Sequence, residues 1–144
     1  MKKFDSNNST IEIVAASEEE RQYFLPHFLH HPLDLFFFEG FLYSSMADLS
    51  EQYSGGRWEM LCLSNGAFFM LPTGRESYHC CIRTEQVQYE NDMSAQTAGL
   101  IATLQALWNL YGLSRIQEVY IQYVQLKNYV DQHDERDVIL AAIA

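Results

Sequence analysis

Apolar positions recur along this chain with two different periods, and each change of period marks a change of element. Phe38, Phe41, Leu42, Met46, Leu49 and Tyr53 stand at helical spacing and predict an amphipathic helix that stops before Gly55-Gly56. Upstream, Ser17 with Glu20 forms a capping-box pattern, and Glu18 and Glu19 suit the positive end of a helix dipole. An earlier helix is therefore predicted to start there and to yield near Pro26, with Pro32 reinforcing the break. Residues 1 to 10 are polar and uncapped, so a flexible leading segment is expected, with order from Ile11 and a single domain over 11–144.

After Gly55-Gly56 the period shortens. Asn65-Gly66 lies between two apolar runs, and both residue types tolerate the positive φ of a two-residue type I′ turn. Such a turn places Leu63 opposite Phe68 and Leu61 opposite Met70, with Trp58, Met60, Cys62, Phe69 and Leu71 on the other face. Both faces are apolar, so the hairpin is expected to be covered on two sides or to leave a patch for a partner. The next hairpin separates its faces: Tyr78, Cys80, Ile82, Val87 and Tyr89 share one, while His79, Cys81, Arg83, Gln86, Gln88 and Glu90 share the solvated other. Its turn is expected near Thr84-Glu85.

Helical spacing then returns. Ser94 fits an N-cap for a helix with the stripe Ala98, Ile101, Leu104, Trp108 and Tyr111, ending at Gly112. Ser114 with Gln117 repeats the capping box ahead of a helix carrying Ile116, Val119, Tyr123, Leu126 and Val130. A short last helix from about Asp134 carries Val138, Ile139 and Ile143. The order predicts an α+β fold, a small antiparallel β-sheet of two consecutive hairpins packed by N-terminal and C-terminal helices.

The run Y-x-G-G-x-W-x-x-x-x-L-S-N-G-x-F-x-M-x-P from Tyr53 to Pro72 resembles the ArdB/KlcA family of antirestriction proteins carried by plasmids and other mobile elements. Arg21-x-x-Phe24-Leu25-Pro26 and the segment Met93-Ser94-Ala95-x-x-Ala98-Gly99-x-Ile101-Ala102-Thr103-Leu104-x-Ala106-Leu107 resemble two further motifs of that family, in the same order. Ala67 stands where a second glycine is usual, Met60-Leu61 where an aromatic pair is, and Gln96-Thr97 where Asp-Ala is. The last change removes a helix-start carboxylate. The resemblance implies alleviation of type I restriction of incoming DNA and implies no catalytic residues.

Composition narrows the mechanism. A net charge of −10 argues against nonspecific binding to a nucleic-acid backbone, which needs clustered Lys and Arg, and favours a cationic protein surface as electrostatic partner. No apolar run nears the roughly 18 residues of a membrane span, and Met1-Lys2-Lys3 leads into a polar stretch, so a cytoplasmic, monomeric protein is expected. Three cysteines, two of them adjacent, fit reduced thiols.

Candidate chemistry is sparse. His27, His30 and His31 stand at i, i+3 and i+4, yet Pro26 and Pro32 interrupt a helix there and no fourth ligand is evident, so no metal and no other cofactor is expected. Cys80 reads as core. Cys81 shares a face with His79, an arrangement with little support for a nucleophilic thiol. Turn geometry accounts for Asn65 and Gly66, backbone geometry for Gly55 and Gly56, and sheet anchoring for Trp58. The acidic groups Glu18 to Glu20 and Asp131, Asp134, Glu135 and Asp137 raise a second reading, a DNA mimic presenting carboxylates in place of phosphates, but Arg21 and Arg136 interrupt them. The leading expectation is a noncatalytic interaction protein contacting the host type I restriction enzyme or an associated DNA-processing factor. Its candidate partner surface and family motif comprise Tyr53, Gly55, Gly56, Arg57, Trp58, Ser64, Asn65, Gly66, Arg83 and Gln88.

Overall fold

A computed structural model describes residues 10–14, 32–84 and 88–144. The predicted first helix, the Arg21–Pro26 motif, the three histidines at 27, 30 and 31, and Glu18 to Glu20 lie outside these residues. Strand β1 (Ile13–Val14) pairs antiparallel with β2 (Trp58–Leu63), which pairs in turn with β3 (Phe68–Pro72). Strands β4 (Ser77–Arg83) and β5 (Gln88–Ser94) form a second, two-stranded antiparallel sheet. Helix α1 (Pro32–Leu49) precedes the strands, and α2 (Ala95–Ser114), α3 (Gln117–Val130) and α4 (Arg136–Ile143) follow them. The α+β class stands, with one change: the two hairpins belong to separate sheets.

Helix α2 is the centre. Ser94, extended at φ −63 and ψ 155, accepts from the Thr97 amide at 3.1 Å and caps the helix as its sequence predicts. Buried side chains surround α2 on nearly every side, among them Ala98, Leu100, Ile101, Ala102, Leu104, Ala106, Leu107 and Leu110. The predicted stripe was too narrow: Ala98, Ile101 and Leu104 are buried, whereas Trp108 is exposed and Tyr111 half-buried.

Open strand edges are costly unless their amides and carbonyls find partners. The outer edge of β3 finds them on α2. The Met70 amide donates to Thr103 Oγ1 at 2.9 Å, and Gly99 lets the helix approach so closely that a Cβ there would meet the Met70 carbonyl oxygen and lie 3.1 Å from Pro72 Cδ. The two faces of β3 are covered separately, Phe68 meeting Phe38 of α1 at 5.8 Å and Phe69 stacking on Tyr129 of α3 at 6.1 Å between ring centroids. This is the two-sided burial expected for that hairpin.

Pro32 opens α1, since its missing N–H falls where a helix has no acceptor for one. Three helix boundaries differ from expectation. At the other end α1 stops at Leu49, short of Tyr53, where Ser50 turns its hydroxyl onto the His79 carbonyl at 2.6 Å. Helix α2 passes through Gly112 and ends where Arg115 adopts a left-handed φ of 58, its amide donating to Tyr111 O at 2.8 Å and its guanidinium lying over the Tyr111 ring. Nor does Ser114 cap α3: its hydroxyl accepts from the Ile116 amide, and the cap position is Ile116 itself, with no side-chain bond.

Replacing Gly99 by Ala should lower stability by about 1–3 kcal/mol or more, since the added methyl meets backbone that cannot move aside. Thr103→Val, nearly isosteric, should cost about 1–3 kcal/mol by leaving the Met70 amide unpaired. Both losses are measurable by denaturant unfolding, and a Gly99→Ala protein as stable as the parent would refute the close approach.

Candidate functional site

The Asn65-Gly66 turn has a different geometry from the one its sequence predicts. Leu63 N–H donates to Ala67 O at 2.8 Å and Gly66 N–H to Leu63 O at 3.1 Å, enclosing a three-residue loop, Ser64-Asn65-Gly66. Gly66 has φ +90, while Asn65 is not among the residues with positive φ. This is a turn followed by a left-handed glycine bulge, so the register moves by one: Cys62 faces Phe68, Leu61 faces Phe69 and Met60 faces Met70. The tertiary anchors of the loop explain the choice. Ser64 exchanges bonds with Glu12, donating its amide to the Glu12 carbonyl and accepting the Glu12 amide on Oγ. Asn65 Oδ1 accepts from the Ala67 amide while Nδ2 donates to Gln125 O of α3, and Gln122 Nε2 donates to the Gly66 carbonyl.

The other half of the motif is also a packed unit. Gly55 and Gly56 take φ of +91 and +105, values that side chains disfavour. They carry the chain from Tyr53 round to Trp58, whose indole N–H donates to Tyr53 Oη at 3.0 Å and whose ring also contacts Tyr43 of α1. Arg57 is exposed, and its carbonyl accepts from both the amide and the hydroxyl of Thr73.

The β4–β5 hairpin keeps the faces its alternation predicts, with Tyr78, Cys80 and Ile82 inward and Arg83, Gln88 and Glu90 outward. Its last pair is Arg83 with Gln88, further from a Thr84-Glu85 centre than a two-residue turn would give; Gln86 and Val87 lie outside the described residues. The register sets His79 opposite Asp92 and Cys81 opposite Glu90. His79 bridges the two carboxylates, Nδ1 to Asp92 Oδ1 and Nε2 to Glu90 Oε2, both at 2.9 Å. Its backbone is fixed too, the amide donating to Gln52 Oε1 and the carbonyl accepting from Ser50.

His79, Cys81 and Glu90 line a groove of about 730 Å³ between the hairpin and the end of α1, where Asp48, Glu51 and Gln52 form the opposite wall. The hydrogen bonds to Glu90 and Asp92 hold the His79 imidazolium above its ordinary 6.5, and the bond from His79 holds the Glu90 carboxyl below its ordinary 4.5. Burial pushes the Cys80 thiol up to about 12, which leaves it protonated and unreactive. None of Cys62, Cys80 and Cys81 is in a disulfide.

Residues 51–144 match the antirestriction protein family. The chain belongs to that family. An antirestriction protein KlcA from Escherichia coli is 30% identical over 140 residues, covering 94% of each chain. A putative antirestriction protein, YubI, of Escherichia coli strain K12 is 26% identical, covering 88% of this chain and 91% of its own. A solved structure from work on the KlcA and ArdB proteins superposes with a TM-score of 0.76 at 27% identity, over 94% of this chain and 96% of that one. That work describes a novel fold and antirestriction activity against type I DNA restriction systems in vivo but not in vitro.

Within this antirestriction fold, Tyr53, Gly55, Gly56 and Trp58 form one packed unit and Ser64, Asn65 and Gly66 a second, at opposite ends of β2. Arg83 and Gln88 lie on the other hairpin and Arg57 on the glycine loop, so the candidate residues do not converge on one cleft. The groove residues Asp48 and Gln52, and Asp92 behind His79, were absent from the sequence-derived candidates. Alternation already aligned His79 with Cys81 and Glu90, but the contribution from the end of α1 had no local signal. The carboxylate missing from the start of α2 is replaced through space: Glu135 accepts from the Thr97 hydroxyl at 3.0 Å. Among the described residues no helix is long and apolar enough to cross a membrane.

Two outcomes check this geometry. Gly66→Val should cost about 1–3 kcal/mol in thermal or denaturant unfolding, and the cost is one of backbone strain, because the nearest atom to a Cβ, Gln125 Oε1, is 3.7 Å away. A proton NMR titration should give a His79 midpoint above 6.5. Its stabilising effect is fully present below 6.5 and fades as pH rises through the raised value, whereas that of Glu90 is present above 4.5 and fades as pH falls through its lowered value. The hairpin is thus held best between about 4.5 and 6.5, and His79→Gln should flatten both limbs.

Proposed function

We propose that this chain alleviates type I restriction of incoming DNA in the host cytoplasm, acting as a noncatalytic, monomeric interaction protein. The observation that carries the reading is likeness over nearly the whole chain, at TM-score 0.76, to the structure from the KlcA and ArdB work, which reports activity against type I systems in vivo. The absence of activity in vitro in that work favours a contact with the restriction enzyme that needs a further cellular component, or contact with an associated DNA-processing factor. A noncatalytic role is supported by the thiols and imidazole: Cys80 is buried and protonated, and both His79 nitrogens are committed to carboxylates, leaving neither to activate Cys81.

The DNA-mimic reading receives less support. Among the described residues, Arg136 approaches Asp131 at 3.6 Å and Asp137 at 3.8 Å, and Glu135 serves Thr97, so local contacts account for much of the C-terminal acidic group. Partner contact is assigned to the exposed side chains of the sheet region, Arg57 on the glycine loop of the motif and Arg83 and Gln88 on the second hairpin.

Expression in a host with an active type I system should raise plating of unmodified phage while leaving methylation of host DNA intact. Unchanged plating by a folded protein would refute the assignment. Arg57→Ala, Arg83→Ala and Gln88→Ala should each leave stability within about 0.5 kcal/mol, and at least one should lose antirestriction while melting normally. If all three stay active and only charge reversal at Asp131, Asp134, Glu135 and Asp137 abolishes protection, the acidic surface is the functional one. A pull-down from restriction-proficient cells then identifies the partner.

A further inference from the structure

We infer that His79, Cys81 and Glu90 form a binding site for a borderline-soft divalent transition metal, with zinc the best fit, open to the groove beside α1. An imidazole nitrogen, a thiol sulfur and a carboxylate oxygen lie within 4.8 Å of one another, a convergence of His, Cys and acidic side chains found at no other place among the described residues. The hairpin register produces it: His79 and Cys81 share one face of β4, and Glu90 on β5 stands directly across from Cys81.

Tetrahedral zinc with ordinary bond lengths separates its ligand atoms by roughly 3.3–3.7 Å. His79 Nε2 and Glu90 Oε2, 2.9 Å apart, must part by about 0.4 Å, and the sulfur, within 4.8 Å of both, must close by up to about 1 Å. The side chains of His79 and Glu90 are 43% and 58% exposed, and an ion reaches them without opening the core. Thiolate with imidazole favours zinc over magnesium or calcium, which prefer sets made wholly of oxygen.

Around this set stands a supporting group. Asp92 Oδ1 accepts from His79 Nδ1 at 2.9 Å, which holds the ring with Nε2 aimed at Glu90 and at the metal position. Without metal, the Nε2 proton shared with Glu90 occupies that position. Binding releases this proton and the Cys81 thiol proton to solvent, leaving one thiolate, one carboxylate and a neutral imidazole on a dication. Three protein ligands leave a fourth position facing the groove for water or for an oxygen or nitrogen ligand of a partner. The site does not depend on the antirestriction reading, and its test reads binding alone.

An ion-paired histidine on a solvated sheet face, with Cys81 only a weak hydrogen-bond partner of Glu90, accounts for the same side chains without a metal, and cobalt separates the two accounts. Titrating the reduced, chelator-treated full-length protein with Co²⁺ should give one equivalent bound, with thiolate-to-cobalt charge-transfer absorption in the near ultraviolet that zinc displaces. Cys81→Ser should abolish the band and His79→Ala the binding, while Cys62→Ser keeps both. Asp92→Asn should keep the band and weaken affinity about 10–100-fold, the signature of a positioning residue. Cobalt uptake without the band, a band that survives Cys81→Ser, or no uptake by protein that melts normally would each overturn the site.

Discussion

The close contact between the backbone of α2 at Gly99 and the outer edge of β3 is the constraint on which the other placements depend. A helix seldom lies with its axis against a strand edge, because side chains on both hold the backbones apart. Here a missing side chain and one hydroxyl remove the obstacle: Gly99 admits the Met70 carbonyl, and Thr103 accepts the Met70 amide at 2.9 Å. The edge is thereby closed to pairing with another chain. Because β3 then meets α2 by its edge, both of its faces stay available for burial. Phe68 reaches α1 and Phe69 reaches α3, which is how a small three-stranded sheet comes to be enclosed by helices.

Closing that edge also explains why the two hairpins do not join. In the expected fold they would continue one sheet, but the outer side of β3 is occupied by α2. Strands β4 and β5 therefore pair only with each other, and the outer edge of β4 is finished by Ser50 and Gln52 from the end of α1. Those bonds bring Asp48 and Glu51 across from His79 and create the groove. The groove is thus a by-product of edge protection at two strands, and its position follows from the helix contact more than from any local motif.

How much of this was legible depends on the range of the forces involved. The Ser94 cap, the two faces of β4–β5 and the order of the described elements came through because they are set by neighbours a few residues apart. The Asn65-Gly66 signal correctly marked a reversal but not its register, since Glu12, Gln122 and Gln125, distant in sequence, select a three-residue loop over a two-residue one. Gly112 looked like a helix end and is not one. A glycine inside a helix costs about 1 kcal/mol, which the packing of α2 outweighs, and the left-handed residue is Arg115, held by its own ring contact. Gly99 was visible as part of a motif with no clue to its task, because only the facing strand gives its missing Cβ a meaning.

The same distinction bears on where function resides. The Tyr53-to-Pro72 motif identifies the family, yet Gly55, Gly56 and Gly66 satisfy backbone demands, Trp58 pairs with Tyr53, and Asn65 fastens the turn to α3. A segment so fully used by the fold specifies a scaffold, and a family resemblance built on it carries less information about contact residues than about shape. The exposed side chains outside that scaffold are Arg57 on the glycine loop and Arg83 and Gln88 at the end of the second hairpin, while the His79, Cys81 and Glu90 group faces the groove with bonds of its own. Their charges are mixed on a chain of net −10, so in the proposed reading recognition there rests on local shape and pairing, while the overall field acts mainly to repel other polyanions such as DNA. On the reading proposed above, the chain reaches the restriction machinery through protein surface, and at the ends of β4 and β5 the exposed Arg83 and Gln88 supply such surface.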